Sequence, residues 1–532
     1  MNKYERKNRR FFIGLVFCAI FAIVFAVIGQ FFKGYVLDNA LAGNGFSTLN
    51  SALFLIGSIL LEVFFYYLYD RIRISYSTGC ERALREDFFR AVLNRSYIAF
   101  KAQNSGDYIA KFTNNLNLIS DMRFTTKTVL VMVLSRVVLV SVALFLLDWR
   151  IAIVTLLLLT TPLYIPKLVE KRLAKAQTDY TKAVEENLSK FADWLNGFEL
   201  IKNFSIEKRI FERFCLSNDS VANKQMNRKR LSVIMTLITT LISYLSYFII
   251  LAFSAYLVFR GDFSAGGFFV AIGMIDQLSY PLISLSELVR NLLGVKPICK
   301  NILEFIGESN PTFCQNYLSL PLRTHLKNEI MIADLSFSHD EKPLLSHFSM
   351  RIKAGSRYLI QGASGSGKTT LTNLLLRYYE ATDGTISIDG KPISDIDVYA
   401  LMTVVRQDPV LFNDTLKSNL TMYSNFDDEL LISLLKRVKL DKFASKDGLL
   451  TIIDEGGKNL SGGERKRVSI LRALLRDTDI LIFDEPLANL DTATAISIED
   501  ELLNIVGRTV IVVSHEFSSE KLHAFDEVIT IT

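Results

Sequence analysis

The sequence predicts an α-helical membrane domain of six transmembrane helices, followed by a soluble α/β domain of the phosphate-loop class. Three observations carry this reading. Apolar runs long enough to cross a bilayer crowd the chain before residue 300. Residues 362–369 read Gly-Ala-Ser-Gly-Ser-Gly-Lys-Thr, which fits the pattern G-x-x-x-x-G-K-[ST]. Residues 480–485 read Ile-Leu-Ile-Phe-Asp-Glu, a buried-strand pattern closed by two carboxylates.

Half of the 532 residues are hydrophobic, with 38 Phe and 20 Tyr, and the mean hydropathy is +0.27. That is too apolar for an ordinary soluble protein and too long for one domain. A net charge of only +5 singles out no polyanion, so no nucleic-acid partner is expected. Five cysteines (Cys18, Cys80, Cys215, Cys299 and Cys314) stand far apart, with no C-x-x-C pair and no His at metal-ligand spacing. They imply neither a disulfide framework nor a zinc site.

Lys3, Arg6, Lys7, Arg9 and Arg10 precede the first apolar run, 11–32. Its core is longer than a signal peptide's and no small-x-small cleavage site follows, so it reads as a retained span. At roughly 20 residues per crossing, the spans fall at 11–32, 50–69, 128–147, 149–166, 231–259 and 267–289. The third and fourth meet at Asp148-Trp149-Arg150, a tight hairpin, and Pro162 and Pro166 interrupt the fourth. With a cytoplasmic N-terminus, the outer segments 33–49, 148–150 and 260–266 hold just Lys33, Arg150 and Arg260. The inner segment 70–127 alone holds ten Lys plus Arg. The positive-inside rule therefore puts both termini in the cytoplasm, with the lipid bilayer as a partner.

The inner segments 70–127 and 167–230 are poor in Gly and Pro and read as helices continuing out of the membrane. Reversals are expected near Ser105-Gly106-Asp107 and Asn196-Gly197-Phe198, where the pattern breaks. The membrane domain is assigned to 1–300, a linker to 301–328, and the soluble domain to 329–532.

The octet follows the strand-like Tyr358-Leu359-Ile360 and precedes the helix-like run 371–379. Its backbone N–H groups, from Gly362, Ala363, Ser364, Gly365, Ser366 and Gly367 into Lys368, Thr369 and Thr370, converge on phosphate at a helix N-terminus. Lys368 supplies a point charge for the β- and γ-phosphates, and the Thr369 hydroxyl is a Mg²⁺ ligand. Ser461, Gly462 and Gly463 open a second helix and offer a second cradle. Two cradles in one chain face different nucleotides or opposite sides of one. Asp484 is placed to hold the Mg²⁺ shell, and Glu485 is the expected general base for the attacking water.

Read in order, the octet, Gln407 in Arg-Gln-Asp-Pro-Val-Leu-Phe, Leu-Ser-Gly-Gly-Glu at 460–464, the strand ending in Asp484-Glu485, Asn489-Leu490-Asp491 and His515 resemble the ATP-binding cassette (ABC) ATPase over about 200 residues. The stretch 197–204, with Glu207, is similar to the second intracellular loop of ABC exporter membrane domains. The resemblance implies two ATPase domains closing head to tail, each phosphate loop trapping ATP against the other's signature. It places His515 on the γ-phosphate, Gln407 on Mg²⁺ or the water, and Asp491 across the dimer. It puts His339 where relatives stack an aromatic ring on adenine, and Ala488-Asn489 where they carry Ser-Ala. The sequence ends at Thr532, where relatives continue, so thinner C-terminal contacts are expected.

The implied function is an ATP-driven half-transporter in the plasma membrane. It pairs with an identical or homologous chain and exports an unidentified substrate by alternating access. The same architecture also serves siderophore import and lipid flipping, and more remotely an ATP-gated channel or sensor. No peptidase segment precedes the first span. Glu62 and Arg136 stand at similar depth in their spans, placed to pair or to meet cargo. Asp276 and Gln277, ahead of Pro281, are the stronger cargo candidates; Thr236, Thr239 and Ser243 serve helix packing.

Overall fold

The computed structural model describes residues 1–161, 165–308, 325–339, 342–363, 365–488, 490, 492–515 and 517–531. These divide into two compact units, Met1–Ala91 with Ser105–Glu308, and Val92–Asn104 with Ser309–Thr532.

In the first unit, four helices are long and apolar enough to cross a membrane: Arg9–Leu41, Gly45–Leu93, Ser105–Leu147 and Glu207–Phe259. Two shorter apolar helices, Trp149–Leu159 and Ala265–Ser279, coincide with the remaining two runs. The fourth run stops helically at Leu159; Pro162 lies outside the described residues, and Pro166 falls in the first turn of Ile165–Asn196. Gly45–Leu93 has 49 residues, about 73 Å of helix against a hydrocarbon core of about 30 Å. The excess is the predicted extension beyond the bilayer.

Local chemistry fixes the turns near Asp148 and Asp38. The Asp148 carboxylate caps Trp149–Leu159, accepting from the N–H groups of Arg150 at 2.8 Å and Ile151 at 3.3 Å. Arg150 then reaches Asp262 at 3.1 Å. Asp38 accepts from Gly266 N–H at 2.6 Å and from the Ser264 hydroxyl at 3.0 Å. Arg9–Leu41 can approach Ala265–Gly294 this closely because a Cβ on Gly34 would stand 2.8 Å from the Gly266 carbonyl oxygen.

The first reversal spans residues 94–104, just ahead of Gly106. The helix ends at Leu93, Ser96 caps a short helix Tyr97–Lys101, and Gly106 lies inside the next helix, Ser105–Ala110. The capping serine, not the glycine, marks the break. The second reversal is at Gly197, between Ile165–Asn196 and Phe198–Asn203. Lys296–Glu308 runs helically into the segment expected as linker, and Cys314 lies outside the described residues.

Eleven strands are described in the second unit: β1 Glu329–His339, β2 Lys342–Lys353, β3 Arg357–Gly362, β4 Asp383–Ile388, β5 Lys391–Pro392, β6 Met402–Val405, β7 Asp414–Thr415, β8 Ile452–Ile453, β9 Ile480–Asp484, β10 Thr509–Val513 and β11 Glu527–Ile531. One sheet orders β2-β1-β4-β5, and its pairs are antiparallel. The other orders β11-β3-β10-β9-β6 and is parallel throughout. Every residue of β9 and β10 is buried, which explains their unbroken apolar sequences. A parallel sheet gathers the carboxyl ends of its strands on one edge, where such folds bind ligands.

Candidate nucleotide site

That edge collects the predicted residues. β3 runs into the phosphate loop, β9 ends at Asp484, and β10 leads to His515. Gly367, at φ +96°, turns the loop into Lys368–Leu375. Only glycine adopts this φ without strain.

The Lys368 side chain is buried, and its ammonium donates to the carbonyls of Gly362 at 2.8 Å and Ala363 at 2.9 Å. It stands 4.0 Å from a Glu485 carboxylate oxygen. The Ser366 hydroxyl is buried and without a hydrogen-bond partner. Thr369 is exposed at the helix start, and Ser364 lies outside the described residues.

Glu485 leaves β9 with φ +52°. Its N–H donates to the Val513 carbonyl at 2.8 Å. The turn swings its carboxylate to Nδ1 of His515, at 2.9 Å. Glu485 and His515, 30 residues apart in sequence, are thus one pair. Burial pushes the Asp484 carboxyl above its ordinary value, against the opposing pull of Arg406. One oxygen of Asp484 takes the Arg406 guanidinium at 3.2 Å; the other is buried with no hydrogen-bond partner.

Gln407 is exposed; its neighbour makes the contacts. Besides Asp484, Arg406 donates to Asn373 at 2.6 Å and lies over the Tyr378 ring, 5.6 Å from its centre. The other face of this chain of contacts is Tyr97, whose ring stacks on Tyr378 at 4.0 Å and 13°. The short helix Tyr97–Lys101 therefore ends two side chains away from Asp484.

Ser461 caps Gly462–Leu475 in a capping box with Glu464, leaving Ser461 and Gly462 exposed. On the buried side of that helix, the Lys466 ammonium donates to the carbonyls of Glu485 and Ala488, each at 2.8 Å. Sequence reasoning left Arg406 and Lys466 without a role. The signal for Lys466 was its spacing: with Ile470 and Ala473 it stands on the core face at i, i+4, i+7. Lys466→Met leaves two buried carbonyls unpaired at about 1–3 kcal/mol each. Turnover should fall at least tenfold, on the order of 1.4 kcal/mol, and the melting temperature should drop, as ATPase assays and thermal denaturation will show.

The backbone of His339 ends β1 opposite Lys342. The His339 side chain, Asn489 and Asp491 lie outside the described residues. No cluster of three His, Cys, Asp or Glu able to hold a metal occurs among the described residues. Glu62 and Arg136 form no ion pair among those residues. The helix bearing Arg136, Thr126–Leu147, packs mainly on Arg9–Leu41, Ala265–Gly294 and Trp149–Leu159 rather than on Glu62's helix.

A phosphate loop, a strand-end carboxylate pair and a fused helical membrane unit define an ATP-hydrolysing membrane transporter. The family model described as "ABC transporter transmembrane region" matches residues 12–282, and that described as "ABC transporter" matches 345–488. The chain belongs to the ABC transporter family, as an ATP-driven half-transporter of the exporter type. It is 27% identical over 523 residues to the Lactococcin-G-processing and transport ATP-binding protein of Lactococcus lactis, covering 96% of this chain and 74% of that one. It is 27% identical to a multidrug resistance-like ATP-binding protein of Buchnera aphidicola, over 93% and 86% of the two chains. A bacterial Atm1-family ABC exporter solved with ATP bound shares the fold, with TM-score 0.78 and 22% identity over 98% of this chain and 93% of that chain.

Proposed function

We propose that two such chains pair in the plasma membrane, ATPase units in the cytoplasm, and that ATP hydrolysis drives an unidentified cargo outward. The observation that carries the chemistry is the convergence of Lys368, Asp484, Glu485 and His515 on one sheet edge. Glu485 takes a proton from the attacking water, and His515 holds the carboxylate in place and faces the γ-phosphate. Lys368 trades its two carbonyl partners for phosphate oxygens. Asp484, Thr369 and Gln407 would hold Mg²⁺ directly or through water, in keeping with an ion that keeps several waters and binds one or two carboxylates; the partnerless Asp484 oxygen supports this. When bound, Mg²⁺ neutralises charge developing on the phosphates.

Ser461, Gly462 and Gly463 act on the partner's nucleotide. A Cβ on Gly462 would meet nothing within 4 Å in its own chain, so Gly462→Asp folds normally and still blocks ATP trapped from outside. Chains carrying Lys368→Ala alone or Gly462→Asp alone should be inactive, and mixing them should restore hydrolysis through one intact composite site. Activity that mixing leaves unchanged would remove the head-to-tail pairing.

Phe198, Leu200 and Phe204 stand exposed at the second reversal, fit to dock on the other chain's ATPase unit. The first reversal is served by Tyr97 on Tyr378. Tyr97→Ala removes one ring pair, typically about 0.5–1.5 kcal/mol. Basal hydrolysis in detergent should stay near wild type while cargo stimulation in proteoliposomes is lost. In the membrane, the Gln277 amide oxygen is buried without a partner, and Pro281 offers no N–H to the Gln277 carbonyl. Arg136 Nε is likewise unpartnered. With Asp276 and Glu62, these groups are the cargo contacts of this reading.

A further inference from the structure

A basic hollow lies where the first apolar run begins. Its cavity, 280 Å³ in volume, is lined by Glu5, Arg6, Arg9, Phe12, Tyr76 and Lys127. A neighbouring cavity of 620 Å³ is lined by Lys3, Arg123, Lys296 and Lys300, with Glu304 paired to Lys300 at 3.6 Å. The hollow is held open by a fixed frame. Tyr4 and Asn8 are buried, and the Asn8 amide donates to the Tyr4 carbonyl at 3.1 Å and to the Cys80 sulfur at 3.5 Å. Lys3 pairs with Asp87 at 2.9 Å.

The charges do not cancel. Glu5 is the one carboxylate lining the smaller cavity, and it is already shared by Arg123 at 3.0 Å and Lys127 at 2.5 Å. The exposed side chains of Arg6 and Arg9 make no hydrogen bond or ion pair among the described residues, though both line the cavity. Converging cations with one shared counter-charge favour a bound anion. The wall is aromatic: Phe12 and Tyr76 lie 5.6 Å apart, and Lys127 stands over the Phe12 ring. A cationic mouth beside an apolar wall suits an amphiphile better than a free ion.

We infer that this hollow binds the phosphate-bearing headgroup of an anionic bilayer lipid, with Arg6 and Arg9 on the phosphate and Phe12, backed by the buried Tyr76, against the glycerol. Basic pockets at the cytoplasmic edge of membrane helices take such headgroups. Bound there, the lipid ties Asn2–Lys7 to Thr126–Leu147 through Lys127, beside the bond Glu5 already makes.

The test uses the full chain in phosphatidylcholine nanodiscs titrated with spin-labelled phosphatidylglycerol. Arg6→Gln/Arg9→Gln is compared with Lys7→Gln/Arg10→Gln, which removes the same charge outside the cavity lining. The first pair should weaken phosphatidylglycerol association about thirtyfold, two basic side chains at about fivefold each. The second should leave most of it. Equal loss in both double variants would show diffuse attraction and overturn the site. Displacement of the labelled lipid by inorganic phosphate alone would show a soluble-anion site and overturn the lipid assignment.

Discussion

Glu485→Gln stops ATP turnover while ATP still binds, trapping a closed pair of ATPase units. The amide keeps the shape and the contact with His515 but cannot accept a proton from water. General-base removal costs on the order of 10²–10⁴ in rate, and the backbone at Glu485 holds the carboxylate in place for the proposed role. A non-glycine residue at φ +52° is held there at about 1–3 kcal/mol. The N–H bond to Val513 and the two Lys466 bonds around the turn offset that strain. Hydrolysis and nucleotide retention measured in reconstituted membranes check this. Near-wild-type turnover would remove Glu485 as the base.

Gly367→Ala severely weakens nucleotide binding and destabilises the second unit. At φ +96° a side chain alone costs about 1–2 kcal/mol. The added Cβ would also stand 2.6 Å from the Leu344 carbonyl oxygen and 3.1 Å from Leu345 Cγ. Both belong to β2, so relief means shifting a sheet strand or unwinding the first turn of Lys368–Leu375. Affinity for a fluorescent ATP analogue should fall on the order of a hundredfold, about 2.7 kcal/mol, with a lower melting temperature. Unchanged binding would show that the loop takes another conformation with ATP.

Much of this was legible in the sequence because the signals are local. Phosphate-loop spacing, strand hydropathy and span length each depend on residues close in the chain. The first reversal was misplaced because a glycine is conspicuous and a capping serine is not. Ser96 earns its role only through the N–H of Ala99, at 3.3 Å. Glu62 and Arg136, placed by the sequence to pair or to meet cargo, make no ion pair among the described residues although Tyr69 joins their helices through the Thr128 carbonyl at 3.0 Å: equal depth along two spans does not bring two side chains into contact.

By itself the sequence determined the class of the molecule and the order of its two parts, and it singled out the phosphate-loop and strand-end carboxylate residues as the candidates. Periodicity and short motifs encode those directly. Tertiary structure alone decided that Glu485 meets His515, that Arg406 joins Asp484 to Tyr378 and Tyr97, and that Lys466 braces the Glu485 turn. These contacts join strands and helices distant in the chain. They exist because parallel pairing of β3, β10 and β9 brings their carboxyl ends to one edge, where buried polar groups must find partners.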